Sequence, residues 1–502
     1  MRDQIKELLM DVVLKVGLSG DIVFDVGYTT DPKFGDYASN VALVGAKELK
    51  SKPADLAKKI IENLDQKMFE KVEVAGPGFI NFTLRVSELT PHPSPLKPKP
   101  EGKILLEYFQ PNIAKPLHVG HLRTAIIGDA IKRMFLHFGY KVESDTHMGD
   151  WGTQFGYLIL AYKKYGSVDN EKYIQLNADA EKDKSIHEAA KQEFVKLEAG
   201  DKENHKIWQT LVKQSMTEFL QINDLMDVLP FDHHWPESFY EDKMPAVLAE
   251  LKKQKFLVDS QGAQIVNLEE QGLGIAVIVK SDGGTTYLLR DLATFIYRKK
   301  EQHFSKQLYV VDNRQSLHFQ QLFAILDLMG VKGERGVHIN YGFISFKGEV
   351  LSTRKGNMVL ASDVIAQAES KVAKIVAERN PDLKNKPEVI RAVTKSALKY
   401  FDLKHNRHSD IEFDWDEVLD FEGDTGPYLQ YAYARLSGIL KKIPNSKFQI
   451  PMNVSMTNTE RELLFKLSIL NEIVEDALKD YLPNILAHYL YDLARLINKF
   501  YH

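Results

Sequence analysis

The sequence predicts an α/β protein with a parallel, doubly wound sheet, a smaller α+β module before it and an all-helical region after it. From residue 103 onwards, apolar strand-like runs alternate with helical patterns, which is typical of a parallel sheet covered by helices. Five prolines between residues 91 and 100 separate this part from the first 90 residues, because such a segment forms neither a helix nor a central strand. From about residue 387 only helical periodicity remains.

The N-terminal module, residues 1–90, is predicted to contain two helical stretches and two strands. The helical stretches fall at 4–16 and 39–64, and the strands at 71–75 and 78–84 flank a Gly-Pro-Gly turn. A proline-rich linker, residues 91–101, follows.

The sheet domain is predicted at residues 102–386 and the helical domain at 387–502. Buried strands are expected at 103–109, 140–144, 307–312 and 338–343, with a helix at about 119–138 after the first. The polar, Lys/Glu-rich stretch at about 161–230 has a helical pattern and is interpreted as an insertion. Ligands of such sheets bind at the carboxyl ends of the strands.

Composition excludes several classes of protein. The chain of 502 residues is 44% hydrophobic and 27% charged, which is typical of a globular protein. It has no cysteine, so disulfides, catalytic thiolates and Cys-based metal centres are excluded. No apolar run approaches the length of a membrane span, and the charged N-terminus has no signal-type core. A net charge of −4 means that any nucleic-acid binding requires local basic surfaces.

The first chemical motif follows the first strand of the sheet domain. The segment reads Pro111-Asn-Ile-Ala-Lys-Pro-Leu-His-Val-Gly-His121 and leads directly into a long helix. A helix N-terminus offers unpaired N–H groups and a positive dipole end to a phosphate, and Gly120 allows close approach of a ligand. His118 and His121 share one helix face. Taken alone, the two histidines could also be a metal pair or surface residues.

The second motif is Leu351-Ser-Thr-Arg-Lys-Gly-Asn357, a short loop after a predicted strand. Hydroxyl, cationic and backbone donors together suit a triphosphate. Alone it could equally be a solvated basic loop, but the histidine motif some 230 residues earlier favours a shared nucleotide site.

These motifs resemble the "HIGH" and "KMSKS" signatures of class I aminoacyl-tRNA synthetases. Three longer strings, Pro111–His118, His147-Met-Gly-Asp-Trp-Gly-Thr-Gln-Phe-Gly156 and Asp424-Thr-Gly-Pro-Tyr-Leu-Gln-Tyr-Ala-Tyr-Ala-Arg435, are similar to the arginyl-tRNA synthetase family. The resemblance covers the chain from end to end. It implies a Rossmann-like catalytic domain, an N-terminal additional tRNA-binding domain and an α-helical anticodon-binding domain.

The resemblance implies that arginine attacks the α-phosphate of ATP and that the arginyl group then passes to the 2′-hydroxyl of the terminal adenosine of tRNA(Arg). It also implies that activation depends on bound tRNA. ATP and Mg²⁺ are the implied cofactors, and no side chain is assigned as a metal ligand. The residues that match the family's catalytic and ATP-binding positions are His118, Gly120, His121, Ser352, Arg354, Lys355 and Gly356.

One departure from the family pattern concerns Thr353, which stands where the signature loop has its second lysine. In family members with this loss, a lysine just before "HIGH" is thought to take its place. Lys115, three residues before His118, is at that position and is counted among the catalytic candidates.

The resemblance also identifies an arginine pocket. A guanidinium matches a carboxylate bidentately, and buried carboxylates should reject uncharged isosteres. The residues that match the family's arginine-binding positions are Asn112, Glu237, Tyr287, Asp291 and Gln315. Tyr287 and Asp291, four residues apart, would share a face if the segment is helical.

For tRNA, the candidates are Tyr428, Tyr431 and Arg435, because unstacked anticodon bases bind to aromatic side chains and exposed polar groups. Their helical spacing leaves open that the tyrosines pack inside the bundle instead. A cytoplasmic monomer without membrane contact is expected. The chain stops at His502 inside a predicted apolar helix, as expected of either a shortened or a naturally compact member.

Two alternative functions belong to other classes of protein. A small-molecule nucleotidyltransferase could share the histidine motif, but it would need neither the helical third region nor an arginine pocket. A non-catalytic tRNA-binding relative is disfavoured because His118, His121, Lys115 and Ser352 are all present.

Overall fold

The computed structural model describes residues 1–89, 102–168, 170–331, 336–347, 359–442 and 456–501, without the side chains of residues 170, 171 and 174. The predicted linker, residues 91–101, and the predicted loop at 351–357 lie outside the described residues.

The helices are α1 Arg2–Lys15, α2 Val41–Glu48, α3 Pro53–Glu62, α4 Val119–His137, α5 Gln154–Tyr165, α6 Asn170–Lys182, α7 Lys184–Glu198, α8 Lys202–Leu225, α9 Met244–Lys253, α10 Tyr287–Lys300, α11 Ser316–Leu328, α12 Ala361–Arg379, α13 Lys386–Lys404, α14 Trp415–Val418, α15 Gly426–Lys442, α16 Asn458–Ser468, α17 Leu470–Lys479 and α18 Pro483–Tyr501. The strands are β1 Val26–Tyr28, β2 Tyr37–Ser39, β3 Phe69–Ala75, β4 Phe79–Leu84, β5 Lys103–Glu107, β6 Lys141–Asp145, β7 Leu257–Ser260, β8 Ala263–Asn267, β9 Ile275–Val279, β10 Phe304–Asp312, β11 Val337–Tyr341, β12 Ile344–Phe346 and β13 Ile411–Phe413.

The chain divides into two compact units. The first combines Met1–Leu96 with Ala432–Lys479 and His488–His502, and the second combines Lys97–Tyr431 with Asp480–Ala487. The first unit therefore joins the N-terminal module to helices from the far end of the chain. Residues 387–431, which the sequence groups with the helical region, belong to the second unit.

The first unit contains a four-stranded antiparallel sheet in the order β1-β2-β4-β3. The two predicted strands are present as β3 and β4, whereas the predicted helical stretch at 39–64 is two helices, α2 and α3. Pro53 begins α3, as a proline at the first helical position does, so the chain turns between the two helices.

The second unit is built on a parallel sheet in the order β11-β10-β5-β6. This confirms the predicted fold class. Its central strands are apolar on both faces, as covered parallel strands are; Leu105, Leu106, Leu308, Val310 and Ile339 have no exposed surface. The insertion contains α6, α7 and α8. A three-stranded antiparallel sheet, β7-β8-β9, was not predicted.

Strand register brings two carboxylates together at the carboxyl edge of the sheet. Glu107, the last residue of β5, pairs in register with Asp145, the last residue of β6. The guanidinium of Arg298, fully buried on α10, donates hydrogen bonds to both. Buried charges require such pairing, so this ion triad fixes α10 against the sheet. No helix in the described ranges has the length and apolarity that a bilayer crossing requires.

Candidate active site

A cavity of about 680 Å³ lies at the carboxyl ends of β5, β10 and β11, in the second unit. Its walls come from the turn after β5, the start of α4, the first turns of α10 and α11, and the segment around β12. Sheets of this kind bind ligands at this edge. The predicted residues that line the cavity are Asn112, His118, Gly120, His121, Glu237, Tyr287, Asp291 and Gln315.

The histidine motif forms the N-terminus of α4. His118 is the N-cap, and its Nδ1 accepts a hydrogen bond from the Gly120 N–H at 3.1 Å. Nδ1 of His121 accepts from the His118 N–H, also at 3.1 Å. When Nδ1 is the acceptor in a neutral imidazole, the proton is on Nε2. Both rings therefore keep an Nε2–H donor.

Burial holds both histidines in the neutral form. Burial and the charge of Arg314 lower the pKa of His118. Burial, then the charges of His118 and Lys115, lower the pKa of His121 to about 3. At neutral pH the site therefore offers two neutral donors beside a helix N-terminus, an arrangement that can bind phosphate oxygens.

Two segments that flank the second motif border the same cavity. Val359, directly after the undescribed residues 348–358, accepts a hydrogen bond from Val119 N–H at 3.2 Å, and Ala361 N–H donates to Leu117 at 2.9 Å. On the other side, the Phe343 carbonyl accepts from the buried Arg123 of α4 at 3.3 Å. Ser352, Arg354, Lys355 and Gly356 themselves lie outside the described residues.

The predicted guanidinium ligands share one wall of the cavity. Tyr287 and Asp291 are on α10, one turn apart, so the helical assumption made for them is confirmed. Glu237 begins a 3-10 turn, and its N–H donates to the Met148 carbonyl at 2.9 Å. Burial raises the pKa of Glu237 to about 7, although the nearby Arg290 acts to lower it.

The predicted ligands of the α-amino and α-carboxylate groups lie on loops at the same edge. Asn112 is held by a bridge to the segment after β6: Ile113 N–H donates to Gly149 at 3.0 Å, and Gly149 N–H donates to Pro111 at 3.1 Å. Gln315 ends a 3-10 turn directly after β10 and is exposed.

The remaining predicted residues are placed as follows. Lys115 is exposed and does not line the cavity, although its charge contributes to the low pKa of His121. Tyr428, Tyr431 and Arg435 are all on α15. Tyr431 is 53% exposed, which argues against packing inside a bundle. Arg435 donates to Asn498 at 3.0 Å and its guanidinium lies 4.7 Å from the centre of the Tyr501 ring.

Sequence reasoning assigned no role to several charged residues of the cavity wall or its support. His147, His318 and Arg314 line the cavity, and Arg290 pairs with Glu237. His147 begins one of the strings that carried the resemblance, and His318 follows Gln315 by three residues at the start of a helix. That spacing was the available signal for His318. No pattern in the sequence signals the pairing of Arg290 with Glu237.

A parallel sheet with a neutral histidine pair at the N-terminus of its first crossover helix is the arrangement of a class I aminoacyl-tRNA synthetase. The matching family model for residues 92–415 is described as tRNA synthetases class I (R), catalytic domain. Residues 2–84 match the arginyl tRNA synthetase N terminal domain, and residues 429–502 match the DALR anticodon binding domain. The methionyl-tRNA synthetase of Mycobacterium tuberculosis, at 11% identity and a TM-score of 0.52 over 80% of this chain and 84% of its own, shares only the fold.

Similarity to curated relatives identifies the family within this class. The chain is 36% identical to an arginine–tRNA ligase of Fusobacterium nucleatum, over 95% of this chain and 88% of the relative, and 39% identical to one of Clostridium kluyveri, over 94% and 87%. Its structure matches the arginyl-tRNA synthetase of Thermus thermophilus with a TM-score of 0.86 at 26% identity, over 100% and 92% of the two chains. The chain belongs to the arginyl-tRNA synthetase family.

Proposed function

We propose that this chain activates L-arginine with ATP to arginyl-adenylate and transfers the arginyl group to the 2′-hydroxyl of the terminal adenosine of tRNA(Arg). The observation that supports this most strongly is the single cavity lined by both the histidine pair and five residues predicted to bind arginine: Asn112, Glu237, Tyr287, Asp291 and Gln315. Family membership supports ATP, arginine and tRNA as the substrates.

In the first step, negative charge develops on the α-phosphate as the carboxylate of arginine attacks it. The neutral Nε2–H donors of His118 and His121 stabilise that charge from the N-terminus of α4. Neither histidine acts as a base, because the lowered pKa values make both rings poor proton acceptors and Nδ1 of each already accepts a backbone hydrogen bond. The reaction needs alignment and charge stabilisation, which fixed donors provide.

The leaving pyrophosphate is held by Ser352, Arg354, Lys355 and Gly356. Support comes from the residues on either side of the loop, since Phe343 and Val359 both line the cavity. Mg²⁺ enters as part of the ATP complex. Among the described residues, Glu107, Asp145 and His147 bring possible metal-ligand atoms within 4.8 Å of one another, but Arg298 is already paired with both carboxylates.

Lys115 compensates for Thr353 by binding the phosphates from the turn before α4. The charge of Lys115 lowers the pKa of His121, which supports a position of this lysine close to the histidine pair that binds the α-phosphate. Lys115→Ala should abolish adenylate formation while leaving tRNA binding nearly intact. Lys141→Ala, an exposed lysine on β6, is the control. Near-normal ATP–pyrophosphate exchange by the Lys115 variant would refute the compensation.

Arginine is recognised at both ends. Asp291 and Glu237 bind the guanidinium beside Tyr287, and Asn112 and Gln315 hold the α-amino and α-carboxylate groups. An uncharged isostere would leave two carboxylates without their cation, so discrimination should be strong.

Anticodon binding falls to α15, where Tyr428, Tyr431 and Arg435 offer stacking and cationic groups. The N-terminal module is a second tRNA-binding element, as its family match suggests. The enzyme acts as a monomer in the cytoplasm, and its activation step requires bound tRNA.

The test is ATP–pyrophosphate exchange with each of the twenty amino acids, with and without total tRNA. Exchange with arginine alone, and only when tRNA is present, is the expected result. Asp291→Asn should weaken it strongly by raising KM for arginine, whereas Asp259→Asn, a change at an exposed aspartate on β7, should not. Exchange driven by another amino acid, or none in folded protein that binds ATP and tRNA, would overturn the proposal.

A further inference from the structure

The carboxylate of Asp291 is held between two imidazoles of the protein itself. Nε2 of His318, on the first turn of α11, donates to Oδ2 of Asp291 at 2.6 Å. Nε2 of His147, after β6, lies 3.7 Å from Oδ1. All three side chains line the cavity. The proposed guanidinium ligand is therefore already paired before arginine enters.

The ionisation of the three groups is coupled. Burial would raise the pKa of Asp291, but the nearby imidazole of His147 and the hydrogen bond from His318 bring it well below its ordinary value. Burial lowers the pKa of His318, but the bond to Asp291 outweighs it and raises the pKa above its ordinary value near 6.5. For His147, Glu107 and Asp291 outweigh burial and raise the pKa to about 9.

Charged and titratable groups reach this set from every surrounding element. They are Glu107 on β5, Asp145 on β6, Asp150 in the following loop, Glu237 and Tyr240 in the 3-10 turn, Tyr287, Arg290 and Arg298 on α10, Tyr309 on β10 and His338 on β11. Burial lowers the pKa of His338 to about 4, so it stays neutral near pH 7. Burial raises the pKa of Glu237 to about 7, so this carboxyl also titrates near neutral pH.

We propose that the His318 imidazolium, which is hydrogen-bonded to Asp291 while His147 lies farther away, is an internal cation of that carboxylate in the free enzyme, and that the guanidinium of arginine displaces it with release of one proton to solvent. This rests on the proposed function, in which Asp291 binds the guanidinium. His318 is thus a positioning residue that sets the affinity for arginine according to pH.

The physical reason is repulsion between two cations, the His318 imidazolium and the guanidinium of arginine, when both lie beside the partly buried carboxylate of Asp291. An imidazolium 2.6 Å from Oδ2 and an arriving guanidinium would both be cations within a few ångströms, in a site of low dielectric. Loss of the imidazole proton removes the repulsion, and the neutral ring can still donate one N–H to Asp291. An uncharged isostere has no such means of driving the proton off, so the arrangement adds to discrimination.

The first experiment measures KM for arginine in aminoacylation between pH 6 and 8.5. In the wild-type protein, KM should fall as pH rises, with a slope that approaches about tenfold per pH unit below the pKa of His318. His318→Gln keeps an N–H donor but has no proton to release, so it should show a lower KM than the wild type at pH 6 and a flatter profile. His187→Gln, an exposed histidine on α7, is the matched control and should follow the wild type.

Because Glu237 contributes a slope of its own, His318 must also be observed directly. Selective 15N-histidine labelling distinguishes imidazolium from neutral imidazole, and the His318→Gln spectrum assigns the signal. At pH 6.5 the His318 signal should change from the charged to the neutral form when arginine saturates the protein with tRNA present. A His318 signal that stays charged, together with parallel KM profiles for wild type and His318→Gln, would overturn the inference.

Asp291→Asn separates this inference from the function on which it rests. Suppose that KM for arginine rises strongly in Asp291→Asn, while the His318 signal of the wild type stays charged when arginine binds. This result refutes only the displacement of His318. An unchanged KM in Asp291→Asn refutes the proposed arginine pocket itself.

Discussion

The rings of His118 and His121 lie against each other, with centroids 3.8 Å apart and planes tilted by 33°. One backbone-to-ring bond fixes each ring, so the pair is part of the start of α4 rather than two separate side chains. Stacking and burial together disfavour a second proton on either ring. The pair is built to donate hydrogen bonds, not to exchange protons.

The first prediction follows from that neutrality. His118→Ala should lower the rate of ATP–pyrophosphate exchange by about 10²–10³, the usual effect of removing one donor from a developing oxyanion. Since the pKa values of both histidines are lowered, neither should contribute a titration to kcat above about pH 6.5. Exchange measured from pH 6.5 to 8.5 checks both statements. A kcat titration in this range that His118→Ala abolishes would show that the ring changes protonation during turnover.

The second prediction concerns Gly149, whose hydrogen position faces Asn112. A Cβ at Gly149 would lie 2.3 Å from Oδ1 of Asn112, so the amide must move away. Gly149→Ala should therefore raise KM for arginine by about 10–100-fold, as expected for loss of one hydrogen bond to a charged group. Gly27→Ala, where a Cβ meets open space, is the control. An unchanged KM in Gly149→Ala would remove Asn112 from the arginine site.

The centre of the sheet could be predicted from sequence because its two inner strands, β5 and β10, contain continuous apolar runs at 104–106 and 308–311. Buried parallel strands leave that signal whatever they pack against. The outer strands β6 and β11 alternate apolar with polar residues and gave a weaker signal. The sheet β7-β8-β9 was missed although β9 is an apolar run, because its partners β7 and β8 are short and mix polar with apolar residues.

The residues of the site also divide into those that the sequence could predict and those that it could not. Residues within a motif could be assigned to the site by resemblance, since each belongs to a contiguous string of the sequence. The partners of those residues could not, because side chains from distant parts of the chain meet only after folding. Arg290 reaches Glu237 across 53 positions, and His318 reaches Asp291 across 27. Charged residues outside a motif look like surface residues until the fold buries them.

The third prediction concerns Arg290, which binds Glu237 at 3.0 Å and Glu241 at 2.7 and 2.8 Å. Its positive charge favours the ionised form of Glu237, which arginine binding requires. Removal of this positive charge in Arg290→Met should raise the pKa of Glu237 beyond its present value of about 7. At pH 7 fewer molecules then carry the carboxylate, so KM for arginine should rise about tenfold per unit of pKa and recover only at higher pH.

Arg290→Lys tests the cause of that effect. It keeps the charge and loses the planar fork, so its KM profile should lie between those of the wild type and Arg290→Met. Profiles that rise equally at every pH in both variants would mean that Arg290 only shapes the pocket.

The fourth prediction concerns the first unit, where Asp36 is a buried carboxylate that anchors α16 to the N-terminal module. Arg461 donates to its two oxygens at 2.7 and 2.9 Å, and Leu84 N–H donates at 2.7 Å. Arg461→Met leaves a buried charge without its cation, so the unit should lose about 3–5 kcal/mol of stability in denaturant unfolding. Asp36→Asn in the same background should restore part of this loss. Lys466→Met, on the same helix, breaks a more exposed pair with Asp492 at 3.5 Å and should cost less than about 1 kcal/mol. Equal losses in the two single variants would mean that the Asp36 pair stabilises no more than a surface pair, and that apolar packing alone holds α16 to the N-terminal module.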